Sequence, residues 1–509
     1  MGMTGRPNVL VVMYDQLNPM MLGCHGGPAI APTIDRLACE GVVFDAAYSN
    51  SPLRTPARYC MMTGQLPSAT RGYDNAAYLA STIPTFAHLA RRAGYRTVLS
   101  GKMHFVGPDQ LHGFESRRTT DIYPADFGWT PDWRTPHERI DWWYHNMDSV
   151  TGAGVAEVTN QLLYDDEVGH HAVRALHDLA RSDDDRPFVL VASFTHPHDP
   201  YVTRQRYWDR YAGVDIPLPA VRAADVQPDD PHSARLRAAA DSGAAVVTDE
   251  HVLAARRAYL GNISYVDDWT ARLTDTLAEL RLADDTVVML VADHGDMLGE
   301  RGLWYKMNFF EGAARIPLVI HAPNRFEPRR VAEPVSLVDV LPTIAELADA
   351  NLGDLVDPLA GRSLIGLCDG EAQAREVVGE YMAEAAVAPI VMIRQGRWKY
   401  VHCAADPDQL YDLAADPHEL RNLVSRDDAT DVLAEKLSEM RTEMARRWNL
   451  GELHAKVLRD QARRRLVSEA LRSGTFTPWD YTPPADGASQ YMRNHLDLND
   501  VERSARWPR

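Results

Sequence analysis

The chain has 509 residues, 45% of them hydrophobic and 24% charged, with a formal net charge of −18. That length exceeds one simple core, and the composition is that of an ordinary folded protein, which excludes a fibrous or low-complexity chain. The acidity argues against nucleic acid as a partner, because a polyanion needs a basic surface.

Asn8 to Tyr14, NVLVVMY, is a continuous apolar run, the pattern of a strand buried on both faces of a parallel sheet. It stops at Asp15-Gln16, on the edge where open α/β sheets hold their ligands. Residues 32–40 read as a helix and 42–47 as a short strand. Residues 51–64, SPLRTPARYCMMTG, read as a turn feeding a helix, with Thr55 as N-cap and Pro56 at the first helical position. Free N–H groups there favour an anion, and Arg58, one turn in, adds a fork of donors for a sulfate- or phosphate-shaped group.

The pattern then predicts a helix over 84–93 and a strand over 95–100 that ends at Lys102 and His104. Residues 111–154 form an aromatic stretch without a clear period, the character of a functional loop. A helix over 155–181 precedes a buried strand over 187–194, which runs into Thr195-His196-Pro197-His198. Residues 205–247 are polar and look like an excursion from the core. A long helix over 249–282 leads to a third apolar strand, 286–291, which ends at Asp293-His294. A strand over 315–321 and a helix over 336–350 follow. After about residue 370 short alternating segments predict a small antiparallel sheet with Gly396 at a hairpin. Helices over 430–447 and 453–472 and a weakly regular tail complete the chain.

The expected architecture is α/β, a large mixed sheet sandwiched by helices, with a smaller C-terminal α+β domain. The expected boundaries are 1–370 for the main domain, 371–450 for the small sheet domain and 451–509 for a helix and tail. The five cysteines, Cys24, Cys39, Cys60, Cys368 and Cys403, are odd in number, scattered and without a CxxC pair. That suits a reducing compartment. The N-terminus lacks a cationic leader, and no stretch is long and apolar enough to span a bilayer, so the expected location is the cytoplasm with no membrane partner.

Several buried strands thus end in polar residues on one sheet. Asp15, Asp293 and His294 are hard oxygen and imidazole ligands for a divalent cation, and Gln16 could add a carbonyl oxygen. Lys102, His104, His198 and Lys306 would surround a tetrahedral anion, while His196 reads as structural.

RTPAR followed by a small helix and TGQLPS resembles the signature of the sulfatase family, within the alkaline phosphatase superfamily. SGKMHFVGPDQLHGFE, SFTHPHDPYV, DHGDMLGERGLWYKMNFFEGAARIPL and YMRNHLDL extend the resemblance along the chain, to the choline sulfatase branch of that family. The resemblance implies hydrolysis of a small sulfate ester such as choline sulfate, with one divalent cation (Ca²⁺ first, Mn²⁺ or Mg²⁺ as alternatives). It implies metal ligation by Asp15, Asp293 and His294, and sulfate-binding and acid/base roles for Arg58, Lys102, His104, His198 and Lys306. Trp129, His145, Asn146 and Glu384 resemble a pocket for a trimethylammonium group, which suits an aromatic face and a carboxylate. The tail would help close the site, within a homo-oligomer, a dimer or tetramer, with Asn499 standing where the family has an acidic residue near the choline site and Asp500 next to it.

The sequence departs from the signature at one place. Arg54 stands in the nucleophile slot where the family has the cysteine that becomes formylglycine, so no formylglycine is expected. An arginine stays protonated and offers no nucleophilic lone pair. Three readings follow. Activated water or the Thr55 hydroxyl attacks a sulfate, phosphate or phosphonate ester; or the chain binds the ligand without cleaving it, with Arg54 in the metal's place beside Asp15 and Asp293; or an ordinary family member has had its cysteine changed.

Overall fold

A computed structural model describes residues 5–474, except 124, 137, 140–143, 227–228 and 426–430. Strands β1 (Asn8–Asp15), β2 (Val42–Phe44), β3 (Arg96–Gly101), β4 (Ser116–Arg117), β5 (Phe188–Pro197), β6 (Thr286–Ala292), β7 (Leu318–His321) and β8 (Arg329–Val331) form one eight-stranded sheet. Their spatial order is β8-β2-β7-β6-β1-β5-β3-β4. β1 lies between β6 and β5 and is parallel to both. β3 continues the parallel set beside β5, whereas β7 runs antiparallel between β6 and β2. The sheet is therefore mixed, and its central strands are buried along nearly their whole length.

Helices cover this sheet. Asn160–Ala180 and Asp249–Glu279 pack on each other and on β5, and Arg54–Thr63, Phe86–Arg92 and Val340–Leu347 form a second packed group. The long helix Asp249–Glu279 starts at a capping box, in which Thr248 accepts from the His251 amide. It buries Ala255, Tyr259, Asn262, Val266, Leu273 and Leu277, a stripe at helical spacing. Its Asp267 also caps a neighbour: both carboxylate oxygens accept from the Thr33 and Ile34 amides at the start of Pro32–Cys39.

Four antiparallel strands, β9 (Glu376–Tyr381), β10 (Ile390–Gln395), β11 (Trp398–Cys403) and β12 (Asp406–Asp412), form a separate meander. Gly396, at φ 56°, takes the left-handed turn position between β10 and β11. Helix Asp431–Arg447 packs on this sheet through Met440, against Ile393, Tyr400 and Leu410. The buried Lys399 ammonium fastens the sheet to the main domain by reaching Glu311 at 2.8 Å and Glu419. Val377, Tyr381, Ile390 and Met392 belong to the same apolar core as β1.

Some elements differ from the sequence expectation. The helix expected from 155 begins at Asn160, where Thr159 caps the Leu162 amide, while Gly154–Val155 pairs as a short strand with Val202–Thr203. The excursion over 205–247 contains the helices Gln205–Asp209 and Pro231–Ala239 and is tied down: Arg235 reaches Asp406 at 3.0 Å and His232 reaches the Met307 carbonyl at 2.7 Å. All five cysteines are unpaired. No helix among the described residues is long and apolar enough to cross a membrane. Asn499 and the tail lie outside the described residues.

Candidate active site

Strands β6, β1, β5 and β3 are consecutive neighbours and mutually parallel, so their C-terminal ends meet along one edge. That edge brings together Asp293 and His294 after β6, Asp15 at the end of β1, His198 after β5 and Lys102 after β3. Gly101, at φ 113°, makes the approach possible, since a Cβ there would lie 2.0 Å from the Ser193 carbonyl oxygen. Gln16 and His104 follow in the left-handed region, at φ 66° and 57°. Each such non-glycine conformation costs about 1–3 kcal/mol and is held in place by its surroundings.

At the centre the carboxylates of Asp15 and Asp293 are fully buried. Their Oδ2 atoms are neutralised: Arg58 Nε donates to Asp293 Oδ2 at 2.9 Å and Arg58 Nη2 to Asp15 Oδ2 at 3.3 Å, while the Lys102 ammonium also donates to Asp15 Oδ2. Burial opposes ionisation of Asp15, but Lys102 and Arg58 outweigh it and hold the carboxyl well below the usual range.

The other oxygens face inward. Asp15 Oδ1 and His294 Nε2 are buried without a hydrogen-bond partner and lie 3.8 Å apart. His294 Nε2 is 3.7 Å from Asp293 Oδ1. His294 Nδ1 lies 3.0 Å from the Gly295 carbonyl oxygen, which can only accept, so Nδ1 carries the proton and Nε2 presents its lone pair. Burial pulls this imidazole down to about 4, which keeps it neutral. Ligands bonded at about 2.3 Å to one cation and at right angles to each other sit about 3.3 Å apart, close to these spacings. Asp293 Oδ1 accepts the Gln16 and His294 amides at 3.0 and 2.9 Å, which aims it at the same point. The three atoms thus fit one divalent cation, and the orphaned Asp15 Oδ1 and His294 Nε2 support that fit.

Around this cluster stand further cations. Lys306 donates to Gln16 Oε1 at 2.5 Å and to His198 Nε2 at 3.0 Å. Burial, with Arg54 next, pulls Lys306 down to about 7. Gln16 thus spends its carbonyl oxygen on Lys306, and its amide group donates to Asp296 at 2.6 Å and Asp199 at 3.3 Å. His198 donates through Nδ1 to the Asp199 carbonyl at 2.6 Å, and burial holds it neutral. His104 is also neutral, pulled down to about 3 chiefly by burial. Its Nε2 faces the Asn75 carbonyl at 3.3 Å, which leaves the buried Nδ1 with a free lone pair. His196 is instead pinned to Asp165 at 2.6 Å.

Arg54 and Thr55 differ from the sequence expectation. The helix starts at Arg54 with Leu53 as its cap, two residues ahead of the predicted Thr55 cap. Thr55 thus lies in the first turn, where its amide donates to Asn75 Oδ1 at 3.3 Å and its hydroxyl is buried without a hydrogen-bond partner. Arg54 does not take the metal's place beside Asp15 and Asp293; Arg58 makes those ion pairs. Arg54 turns toward His145, with Nη2 3.0 Å from Nε2, and lies 5.1 Å over the Tyr123 ring. With Asp15 and Asp293 left to Arg58, Asp15 Oδ1 stays without a hydrogen bond.

The candidate cation pocket borders this cluster. Trp129 lies against His104 with ring centroids 5.8 Å apart, and His145 stacks on Tyr305 at 4.2 Å. The Asn146 carbonyl accepts from Tyr305. Glu384 accepts from Asn75 Nδ2 at 3.4 Å, while its Oε2 is buried and unpartnered. Burial raises this carboxyl to about 7. His145, His198 and Asp199 are also close enough to hold a metal ion, but Arg54 and Lys306 already donate to the imidazole Nε2 atoms.

Sequence reasoning did not single out Tyr123, Asn75 or Asp199. Tyr123 offers its ring to both Lys102 and Arg54, Asn75 contacts Thr55, His104 and Glu384, and Asp199 takes the His145 Nδ1 proton at 3.2 Å. Only Asp199, inside HPHDP, carried a signal, since it directly follows a chosen histidine.

Parallel strands that end in metal-type ligands, beside a set of buried cations, define an ester hydrolase of the alkaline phosphatase type. The chain belongs to the sulfatase family, the sulfuric ester hydrolases: the sulfatase family model matches residues 7–350. A model described as the choline sulfatase enzyme C terminal matches residues 455–507. The chain is 52% identical to the choline-sulfatase of Rhizobium meliloti (strain 1021), over 99% of each chain. It is 28% identical to the uncharacterized sulfatase YidJ of Escherichia coli (strain K12), over 96% of each. The crystal structure of the phosphonate monoester hydrolase of Agrobacterium radiobacter superposes with a TM-score of 0.69 at 25% identity, covering 86% of this chain and 96% of that one.

Proposed function

We propose that the chain hydrolyses the sulfate ester of a small quaternary-ammonium alcohol, with choline sulfate as the substrate. One observation carries this reading. A buried set of cations, Arg54, Arg58, Lys102 and Lys306, shares a site with a buried carboxylate, Glu384, whose Oε2 has no partner. The cations suit a sulfuryl group, and the carboxylate with Trp129 suits a trimethylammonium group, which has no N–H to donate. The 52% identity to a choline-sulfatase supports the same substrate.

Asp15, Asp293 and His294 would hold one divalent cation, Ca²⁺ first, which when bound draws negative charge from a sulfuryl oxygen. The chain's own groups do the rest. The neutral His104 presents the Nδ1 lone pair to a water molecule, or to the Thr55 hydroxyl, and takes its proton as the oxygen bonds to sulfur. The bond from sulfur to the ester oxygen breaks, and Lys306 gives the departing alkoxide a proton. If Thr55 attacks, a second water releases its sulfate ester by the same route. Burial keeps Lys306 close to neutrality and so able to give that proton.

A second reading, binding without cleavage, is favoured by Arg54, which cannot attack. Sulfate release from choline sulfate in the presence of Ca²⁺ separates the two. Release that is lost in His104→Ala supports hydrolysis. Calorimetric binding with no release supports the second reading. Release lost in Thr55→Ala assigns the attack to that hydroxyl. The cytoplasm is the proposed location, supported by the unpaired cysteines, and a homo-oligomer is the proposed assembly, to be weighed by light scattering.

A further inference from the structure

Helix Leu450–Arg472 follows the small sheet domain, yet it reaches the loops that carry the site. Its Arg464 makes a buried, two-pronged ion pair with Asp74, at 2.5 Å from Nη1 to Oδ1 and 2.7 Å from Nη2 to Oδ2. Arg464 is 8% exposed and Asp74 fully buried. The partners are 390 residues apart in sequence. A planar fork that meets a carboxylate edge-on fixes orientation as well as distance.

Asp74 precedes Asn75, and every polar group of Asn75 on this face is spent on the site. Its Oδ1 accepts the Thr55 amide at 3.3 Å, its Nδ2 donates to Glu384 Oε1 at 3.4 Å and its carbonyl oxygen faces His104 Nε2 at 3.3 Å. The last contact sets the His104 tautomer, with the proton on Nε2 and the lone pair on Nδ1. These bonds are long, so the position of Asn75 depends on what anchors its turn. Asp74 Oδ1 also accepts the Ala76 amide at 2.9 Å, which closes that turn. The same helix steadies the aromatic loop, since Gln461 Oε1 accepts from the Trp133 amide at 3.1 Å.

We propose that Arg464 is a positioning residue for the site: by locking Asp74 it holds Asn75, and through Asn75 it sets both the His104 base and the Glu384 carboxylate. The inference rests on the choline sulfate reading for its functional consequence and on geometry alone for its structural one. Arg464 touches neither substrate nor metal ligands. Its loss therefore acts on two separate parameters, kcat through His104 and KM through Glu384. A displacement of about 1 Å at such groups costs up to about a hundredfold in rate.

The test uses the full chain with Arg464→Ala, with a crystal structure, steady-state kinetics on choline sulfate and calorimetric binding of choline sulfate. The expected result is an Asn75 displaced from Thr55 and Glu384, with kcat lowered and KM and Kd raised, each about tenfold or more, in protein that is folded by circular dichroism. Added guanidinium at millimolar concentration fills the vacated fork and restores both parameters, whereas sodium does not. Should the variant fail to fold, Asp74→Asn, which keeps the shape and removes the charge, carries the same expectations. An unmoved Asn75, or unchanged kcat, KM and Kd in a folded variant, overturns the proposal. If the wild type neither binds nor cleaves choline sulfate, the functional reading and the consequence drawn from it both fall, and the Asn75 displacement alone decides whether Arg464 positions the turn.

Discussion

Arg54 and Arg58 lie one helical turn apart, and their guanidinium groups face different partners. Arg58 neutralises the outer oxygens of Asp15 and Asp293, while Arg54 meets His145 and the Tyr123 ring. This division leaves Asp15 Oδ1, Asp293 Oδ1 and His294 Nε2 facing one point. Calorimetric titration with Ca²⁺ is expected to show one site, and Asp15→Asn should weaken it at least about tenfold, as loss of even an outer contact does. Equal affinity in that variant would refute the ligand set. Lys306 supplies a pH test. Burial lowers its ammonium to about 7, so the proton donor is present below that value and is lost as pH rises through it. Turnover should fall on the alkaline side near pH 7, and Lys306→Arg, which holds its proton throughout and cannot give it up, should lower turnover at least about a hundredfold and remove that limb from what is left. A limb that stays in place in the arginine variant would assign it to another group. Asp15, Asp293 and His294 were legible in the sequence because each stands where an apolar run stops. The partners of Arg54 were not legible, because rotamer choice depends on His145, which is 91 residues away.

The elements repeat this contrast. β1, β5 and β6 were legible since a strand buried on both faces must be apolar throughout. The helix starts two residues ahead of the predicted Pro56, and Asn75, distant in sequence, accepts the first-turn Thr55 amide that a local cap would otherwise have to satisfy. Left-handed Gln16 and His104 carry no local signal, because neither is a glycine. The C-terminal meander was legible in its alternation, but its docking was not. That docking includes the buried Lys399, which joins Glu311 and Glu419. Lys399→Met would leave two buried carboxylates without their cation and should cost about 3–5 kcal/mol. Urea unfolding measures this, and a loss below about 1 kcal/mol would show that the cluster does not hold the sheet.

At the scale of the molecule, the separation at residue 370 marks a change of pattern but not an independent core. Val377, Tyr381, Ile390 and Met392 share the core of the main sheet, and helix Leu450–Arg472 returns to the site. A chain ending at residue 370 is therefore expected to lose cooperative thermal unfolding, measured by circular dichroism. A sharp transition in that fragment would contradict the shared core. Such long-range dependence leaves little trace in one sequence, since Arg464 and Asp74 are ordinary charged residues until the fold brings them together. The central proposal is that this assembled site cleaves a quaternary-ammonium sulfate ester with Arg54 in the position that the family resemblance assigns to the nucleophile. Its most direct test is sulfate release from choline sulfate by the unmodified chain, beside Arg54→Cys made with a formylglycine-generating enzyme. The account predicts release by both, with that of the unmodified chain abolished by His104→Ala. Release by the cysteine variant alone would contradict it.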